Sequence, residues 1–167
     1  LKMVRYLELP IHSKTQLGLR YLTARESVST GQQLLCLGST DDSSGHLKEL
    51  SAKLMKSCPD LHGVFLFSDP SASNALLKGE PRLLTGKERI LEHFMDTKYF
   101  IGPRDFFQLN PQAASHVFSI ALKFAGGGRR CFEGFSGIGA LTFPLSRIFE
   151  YVIAMEANEE SVAGLRR

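Results

Sequence analysis

The stretch "CFEGFSGIGALTFPLSRIFEYVIAMEANEESV", residues 131–162, decides the fold. It predicts a strand, a glycine-rich turn, a helix, a second strand and then an acidic residue. Glycine in such a turn lets the backbone take positive φ and approach a ligand closely, and the helix that follows presents free N–H groups. Alternating strands and helices favour a parallel sheet with right-handed crossovers. The stretch therefore indicates an α/β domain with a binding turn for a nucleotide-like cofactor.

The spacing within the turn distinguishes between cofactors. The glycines read Gly134-x-x-Gly137-x-Gly139, which is not the G-x-G-x-x-G pattern of dinucleotide sites. Glu133 ends the first strand, where its carboxylate repels a pyrophosphate but attracts a sulfonium and an ammonium group. Glu156 ends the next strand, where an acid accepts hydrogen bonds from ribose hydroxyls. The pattern favours S-adenosylmethionine over NAD, and a tight turn that binds nothing remains the alternative.

Composition sets broad limits on the function. The chain has 167 residues, of which 43% are hydrophobic and 22% charged, and this is typical of a globular protein. No apolar run is long enough to span a bilayer, and no signal peptide opens the sequence. The net charge of +3 permits a polyanionic partner without requiring one. Because the first residue is Leu1 rather than Met, we expect a piece of a longer protein.

The cysteines indicate the compartment rather than a site. Cys36, Cys58 and Cys131 are far apart and odd in number, with neither metal-ligand spacing nor a disulfide framework. A reducing, intracellular setting fits this usage, and no metal site is predicted.

Two domains are predicted, with a boundary at about residue 105. Residues 1–105 read as a small antiparallel α+β domain, with a helix whose apolar face carries Leu47 and Leu50. Residues 106–167 read as the N-terminal part of a Rossmann-like domain, because strand and helix signals alternate there. Asn110 followed by Pro111 predicts a helix start, with Asn as the N-cap.

Three elements together carry a more specific signal. They are Phe106-Phe107-Gln108-Leu109-Asn110, the turn from Glu133 to Gly139, and Glu156. In this order they resemble the RNA (uracil-5-)-methyltransferase family, whose members make 5-methyluridine in tRNA or rRNA. The segment "LLTGKERILEHF" is similar to the small domain before the methyltransferase fold. The resemblance is strong from Leu83 onward and holds in outline before it.

The resemblance implies an S-adenosylmethionine site and names its contacts. Gln108 would hydrogen-bond the amino-acid end of the cofactor, and Phe135 would pack against it. The family usually has Asn at the position of Ala140, so a polar contact is missing here, and Ser136 stands where a Cys is usual. Without the resemblance, buried packing is the simpler interpretation of Phe106 and Phe107. The full set of implied cofactor contacts is Gln108, Phe135, Gly137, Gly139, Ala140 and Glu156.

The resemblance also implies a reaction. In the family a cysteine thiolate adds to C6 of uracil, C5 attacks the methyl group, and a glutamate base removes the C5 proton as the cysteine leaves. A base inside RNA structure must be swung out to be reached. The cysteine and the base are expected beyond Arg167, so this chain alone is predicted to be inactive and to self-associate through uncovered apolar surface. Two other classes stay open, a noncatalytic RNA-binding or scaffold module and an NAD-dependent oxidoreductase.

Overall fold

The structure is a computed structural model that describes residues 18–41, 44–71 and 75–165. Contacts divide these residues into two compact units. The first unit holds residues 18–27, 31–90 and 102–104, and the second holds residues 28–30, 91–101 and 105–165. The units therefore interleave along the sequence, and a single boundary at residue 105 stays a prediction.

The first unit is a four-stranded sheet in the order β1-β2-β3-β4 with one helix. The central strands are continuous apolar runs, as expected for strands buried on both faces. Its elements are β1 (Leu19–Glu26), β2 (Gln33–Ser39), α1 (Ser44–Ser57), β3 (Leu61–Ser68) and β4 (Pro81–Gly86).

This sheet is mixed, so the prediction of a wholly antiparallel sheet is wrong at its centre. β1 and β4 lie antiparallel to their neighbours, but β2 and β3 run parallel, with Leu35 opposite Val64. The reason is the connection between them, because α1 returns the chain to the end from which β2 started. A helix between two strands that are neighbours in one sheet produces a parallel pair.

The predicted apolar face of α1 packs on the sheet. Leu47 and Leu50 are buried in one cluster with Leu37, Val64 and Leu66. Leu54 and Met55 lie partly buried against the same cluster. Burial of a leucine-sized side chain stabilises a fold by about 1.5–3 kcal/mol, so this layer holds the unit together.

The second unit contains a β-hairpin and an α/β segment. Strands β7 and β8 pair in parallel, with Cys131 opposite Val152, as alternation of helix and strand predicts. The elements in chain order are β5 (Ile90–Phe94), β6 (Thr97–Ile101), α2 (Pro111–Ala125), β7 (Gly128–Gly134), α3 (Thr142–Leu145), β8 (Phe149–Met155) and α4 (Glu159–Leu165).

Both ends of α2 follow from the sequence. The Ala113 N–H donates to the side-chain oxygen of Asn110 at 3.0 Å, and Pro111 occupies the first helical position. Gly126 ends the helix in the left-handed conformation, with φ of 69°. The predicted N-cap is therefore confirmed, and α2 begins directly after residues 106–110, the element that carries the resemblance.

Helix α3 is much shorter than the sequence suggests. The apolar run over residues 140–149 predicts a helix of about that length, but only Thr142–Leu145 is helical. Pro144 has no N–H, so it cannot donate to the carbonyl of Ala140, four residues earlier. The chain instead turns and enters β8 at Phe149.

None of the helices in the described ranges is long and apolar enough to cross a bilayer.

Candidate functional site

The turn after β7 has an unusual backbone. Gly137 and Gly139 have φ of 56° and 86°, and Phe135 also has positive φ, at 59°. A phenylalanine in this region is uncommon, because the side chain crowds the backbone. Its side chain is 94% exposed, so no packing compensates for the strain. Backbone strain of about 1–3 kcal/mol at a strand end is typical of binding and catalytic sites.

A cavity of about 250 Å³ opens beside this turn. A Cβ atom added to Gly134 or Gly137 would have no other atom within 4 Å. A ligand can therefore approach the backbone there. The wall combines the turn after β7 with the segment before α2, which are distant in sequence. It is lined by Phe106, Phe107, Gln108, Phe118, Glu133, Gly134, Phe135, Ser136, Gly137, Ile138, Ala140 and Leu141.

Four of the six predicted contact residues line this cavity. They are Gln108, Phe135, Gly137 and Ala140. Gly139 and Glu156 are not part of the wall. Gly139 ends the turn, where its N–H donates to the Ser136 carbonyl, and Glu156 accepts from the Gly137 N–H. The structure thus brings the predicted residues to one place, and their contact with a cofactor stays a prediction.

The two phenylalanines before Gln108 differ in environment. Phe107 is buried and packs edge-to-face on Phe94, with ring centroids 5.5 Å apart. Phe106 is 68% exposed and lies between this cavity and a neighbouring groove of about 370 Å³ along α2. The interpretation as core is correct for Phe107 and wrong for Phe106. In an irregular segment, consecutive side chains have no period that predicts which one is buried.

The carboxylate of Glu156 stabilises the turn by accepting backbone hydrogen bonds. The Gly137 N–H donates to one oxygen and the Asn158 N–H to the other, each at 2.8 Å. The Asn158 hydrogen bond and then the Gly137 hydrogen bond lower the pKa of Glu156 below its usual value. An ionised carboxylate has about four acceptor sites, so it can still accept from ligand hydroxyls.

Glu133 lies on the cavity wall in a different environment. The Thr142 hydroxyl donates to its carboxylate at 2.6 Å. Burial raises the pKa of Glu133, and the Thr142 hydrogen bond opposes this rise only in part. The pKa of Glu133 is therefore raised above the usual glutamate value, and the pKa of Glu156 is lowered below it.

Sequence reasoning missed residues that shape the site. Tyr99 is 3% exposed, and its hydroxyl lies 3.3 Å from the carbonyl oxygen of Ala140. Thr142 and Phe118 were also not predicted. For Tyr99 the only signal is chemical, since a buried tyrosine hydroxyl usually finds a hydrogen-bond partner.

No described cysteine lines the cavity. Cys36 is buried in the first unit, where burial raises the pKa of its thiol, and Cys58 is exposed. Cys131 is half-buried in β7, a strand with exposed side chains such as Phe132.

Comparison with known proteins finds relatives that are named RNA methyltransferases. No family model matches the chain. A protein of Synechocystis named an uncharacterized RNA methyltransferase is 32% identical over 152 residues, which is 89% of this chain and 33% of that protein. A protein of Halalkalibacterium halodurans with the same description is 26% identical over 151 residues, again 89% of this chain and 33% of the relative. The chain thus spans about a third of the length of the curated relatives it matches.

A solved structure shows the same fold. The tRNA (uracil-54, C5)-methyltransferase of Pyrococcus abyssi, in complex with S-adenosyl-L-homocysteine, superposes with a TM-score of 0.80 at 24% identity. The match covers 99% of this chain and 40% of that protein. The predicted methyltransferase-like α/β fold is confirmed by this likeness. The names of the two relatives confirm the predicted resemblance to RNA methyltransferases.

Proposed function

We infer that this chain is part of an S-adenosylmethionine-dependent RNA methyltransferase of the RNA (uracil-5-)-methyltransferase family. The observation that carries the proposal is the cavity at the carboxyl end of β7, where an acid, exposed aromatic rings and an open glycine turn meet. Ligands of open α/β sheets bind at this end of the strands. The relatives named RNA methyltransferase support the same assignment.

The residues at the cavity suit the chemistry of the cofactor. Glu133 offers a carboxylate to the cationic end of S-adenosylmethionine, and Gln108 offers an amide for its amino-acid group. Phe135 presents an exposed ring for packing, and Glu156 can accept from the ribose hydroxyls. A dinucleotide suits the site less well, because Glu133 would repel a pyrophosphate at the glycine turn.

The proposed role of this chain is to bind and orient. S-adenosylmethionine supplies an electrophilic methyl group on a cationic sulfur. The turn and the segment before α2 hold it in place, and the half-buried Glu133 favours positive charge beside it. Since no described cysteine lines the cavity, we propose that the nucleophile and the base come from other parts of the full-length protein.

We propose that the substrate is a uridine in tRNA or rRNA, modified at C5. The support is the Phe-Phe-Gln-x-Asn element at residues 106–110 and the likeness to an enzyme named for uracil C5. A noncatalytic RNA-binding module built on the same fold is the second candidate, because a fold does not fix a function.

A methyl-transfer assay on the full-length protein tests the proposal. The protein is incubated with tritiated S-adenosylmethionine and RNA from a strain that lacks 5-methyluridine, and the nucleosides are separated after digestion. We expect label in 5-methyluridine, and calorimetry should show binding of S-adenosylhomocysteine but not of NAD. RNA binding in a gel-shift without cofactor binding or label would instead support the noncatalytic module.

Glu133 provides a further prediction, on the pH dependence of binding. Its folded pKa is raised, so the free protein holds the proton more tightly than an unfolded chain does. That contribution to stability is present at low pH and is lost as pH rises through the raised pKa. A cationic ligand favours the ionised carboxylate. Affinity for S-adenosylmethionine is therefore expected to fall as pH drops from neutral through the raised pKa.

Titration calorimetry between neutral and mildly acidic pH checks this expectation. In Glu133→Gln the decline with pH should disappear, and affinity at neutral pH should be lower. Glu150→Gln is the control, because this carboxylate is exposed beside Arg129 and away from the cavity wall. A Glu133→Gln protein with the wild-type pH profile would show that another group causes the decline.

A further inference from the structure

The hydroxyl of Tyr99 lies beside a backbone carbonyl that has no helical donor, because Pro144 lacks an N–H. An ordinary residue at position 144 would donate its N–H to the carbonyl of Ala140, but proline has none. The preceding carbonyl, of Gly139, accepts from the Phe143 N–H at 3.2 Å. The Tyr99 hydroxyl lies 3.3 Å from the Ala140 carbonyl oxygen, which has no helical donor, and 3.5 Å from the Gly139 carbonyl oxygen. A partly buried carbonyl without a donor is unfavourable, so the Tyr99 hydroxyl compensates for the N–H that Pro144 lacks.

The ring of Tyr99 is fixed by aromatic neighbours. It packs against Phe107 and Phe143, with ring centroids 5.6 and 5.8 Å away. Phe107 directly precedes Gln108, and both line the cavity. One buried side chain from β6 therefore contacts both walls of the cavity, the glycine turn through its hydroxyl and the Gln108 segment through its ring.

The hairpin of β5 and β6 is also held at its tip by hydrogen bonds from Arg147. Arg147 donates to the carbonyl oxygens of Met95 and Asp96, each at 3.0 Å, and to the Thr97 hydroxyl at 2.9 Å. Met95 and Asp96 both have positive φ, at 46° and 58°, so this tip is strained and gains from fixed donors. The segment from Gly139 to Arg147 is thus tied to the hairpin at both of its ends.

We propose that Tyr99 is a positioning residue of the cofactor site, which holds the glycine turn in its binding geometry through the carbonyl of Ala140. The inference rests on the proposed function. Glu156 holds the start of the turn at Gly137, and Tyr99 holds its end. Burial raises the pKa of Tyr99 to about 12, so the hydroxyl remains a neutral donor across the physiological range.

The test compares two tyrosines that each lose only a hydroxyl. In the full-length protein, Tyr99→Phe is expected to weaken S-adenosylhomocysteine binding by about three- to tenfold, the effect of one hydrogen bond. Tyr21→Phe is the matched control, because its hydroxyl accepts from the Leu77 N–H at 2.7 Å within the first unit. It should lower the melting temperature but leave this affinity within about twofold, since neither Tyr21 nor Leu77 lines the cavity.

A rescue variant identifies the carbonyl that matters. Pro144→Ala restores an N–H that can donate to Ala140, so Tyr99→Phe combined with Pro144→Ala should regain part of the lost affinity. Failure to regain any would overturn the route through Ala140. Equal affinity of Tyr99→Phe and wild type, whatever the melting temperatures, would overturn the inference alone. A wild-type protein that binds no S-adenosylhomocysteine would overturn the proposed function and this inference together.

Discussion

Replacing Glu156 by alanine is expected to weaken binding of S-adenosylhomocysteine to the full-length protein by about 10- to 100-fold. The change removes the acceptor of the Gly137 and Asn158 N–H groups and the proposed acceptor of the ribose hydroxyls. Hydrogen bonds to a charged group are stronger than those between neutral groups, so their joint loss lowers the affinity by about one to two powers of ten. Glu156→Gln should lie between, because its amide offers only one oxygen.

Two effects of Glu156 can be separated with a modified ligand. If the carboxylate contacts the ribose, an analogue without the ribose hydroxyls should bind the wild type weakly. It should then bind Glu156→Ala with the same affinity as the wild type. If the carboxylate only holds the turn, Glu156→Ala should lose the same factor with either ligand. Calorimetry measures both, and Glu159→Ala, in the first turn of α4, serves as the control. Unchanged affinity in Glu156→Ala would remove this residue from the site.

Acid should act on this glutamate differently from Glu133. The pKa of Glu156 is lowered by its backbone hydrogen bonds, so its contribution to stability is present above the usual glutamate pKa. That contribution is lost only as pH falls through the lowered value. Glu133, with its raised pKa, takes up a proton first as pH falls. The mildly acidic range therefore reports on Glu133 with the Glu156 contacts still in place.

Local rules in the sequence predicted the elements that carry the site. The Asn110–Pro111 pair determines where α2 begins, because side-chain capping and a fixed φ act within one helical turn. Gly137 and Gly139 mark the turn, since positive φ is accessible to glycine without strain. Glu156 follows a strand whose length places it beside that turn. Each of these signals depends on residues close together in sequence.

Features that depend on distant contacts could not be read in this way. The parallel pairing of β2 with β3 arises because α1 returns the chain to the starting end of β2 and the two strands become neighbours, and the strand residues alone do not carry that information. The Ala140 carbonyl that the Tyr99 hydroxyl approaches lies 41 residues away, and it lacks a helical donor because Pro144 has no N–H. The positive φ of Phe135 has no sequence signal, because phenylalanine rarely adopts it.

Replacing Phe67 by alanine is expected to have the largest effect on stability, about 3–5 kcal/mol for the first unit. Phe67 is fully buried in β3, where it pairs with Gly38 of β2 and Pro81 of β4. Removing the ring takes away its apolar contacts and leaves a cavity that a central strand cannot easily close. It also removes the contact with Arg104, whose guanidinium carbon lies 5.2 Å from the ring centroid.

Hydrogen exchange of the peptide that covers Leu61–Ser68 measures this effect within the full-length protein, because local opening reports the stability of one sheet even where unfolding is not two-state. Leu76→Ala is the control in the same unit, and since that side chain is 61% exposed it should change exchange by less than about 0.5 kcal/mol. Arg104→Leu keeps the ring but removes both the cation and the Arg104 hydrogen bond to the Leu77 carbonyl, so its effect is an upper limit for the cation–π contact, about 0.5–2 kcal/mol. Exchange in Phe67→Ala as slow as in Leu76→Ala would mean that the sheet closes around the missing ring, and that β2 and β3 are held by their backbone pairing rather than by this side chain.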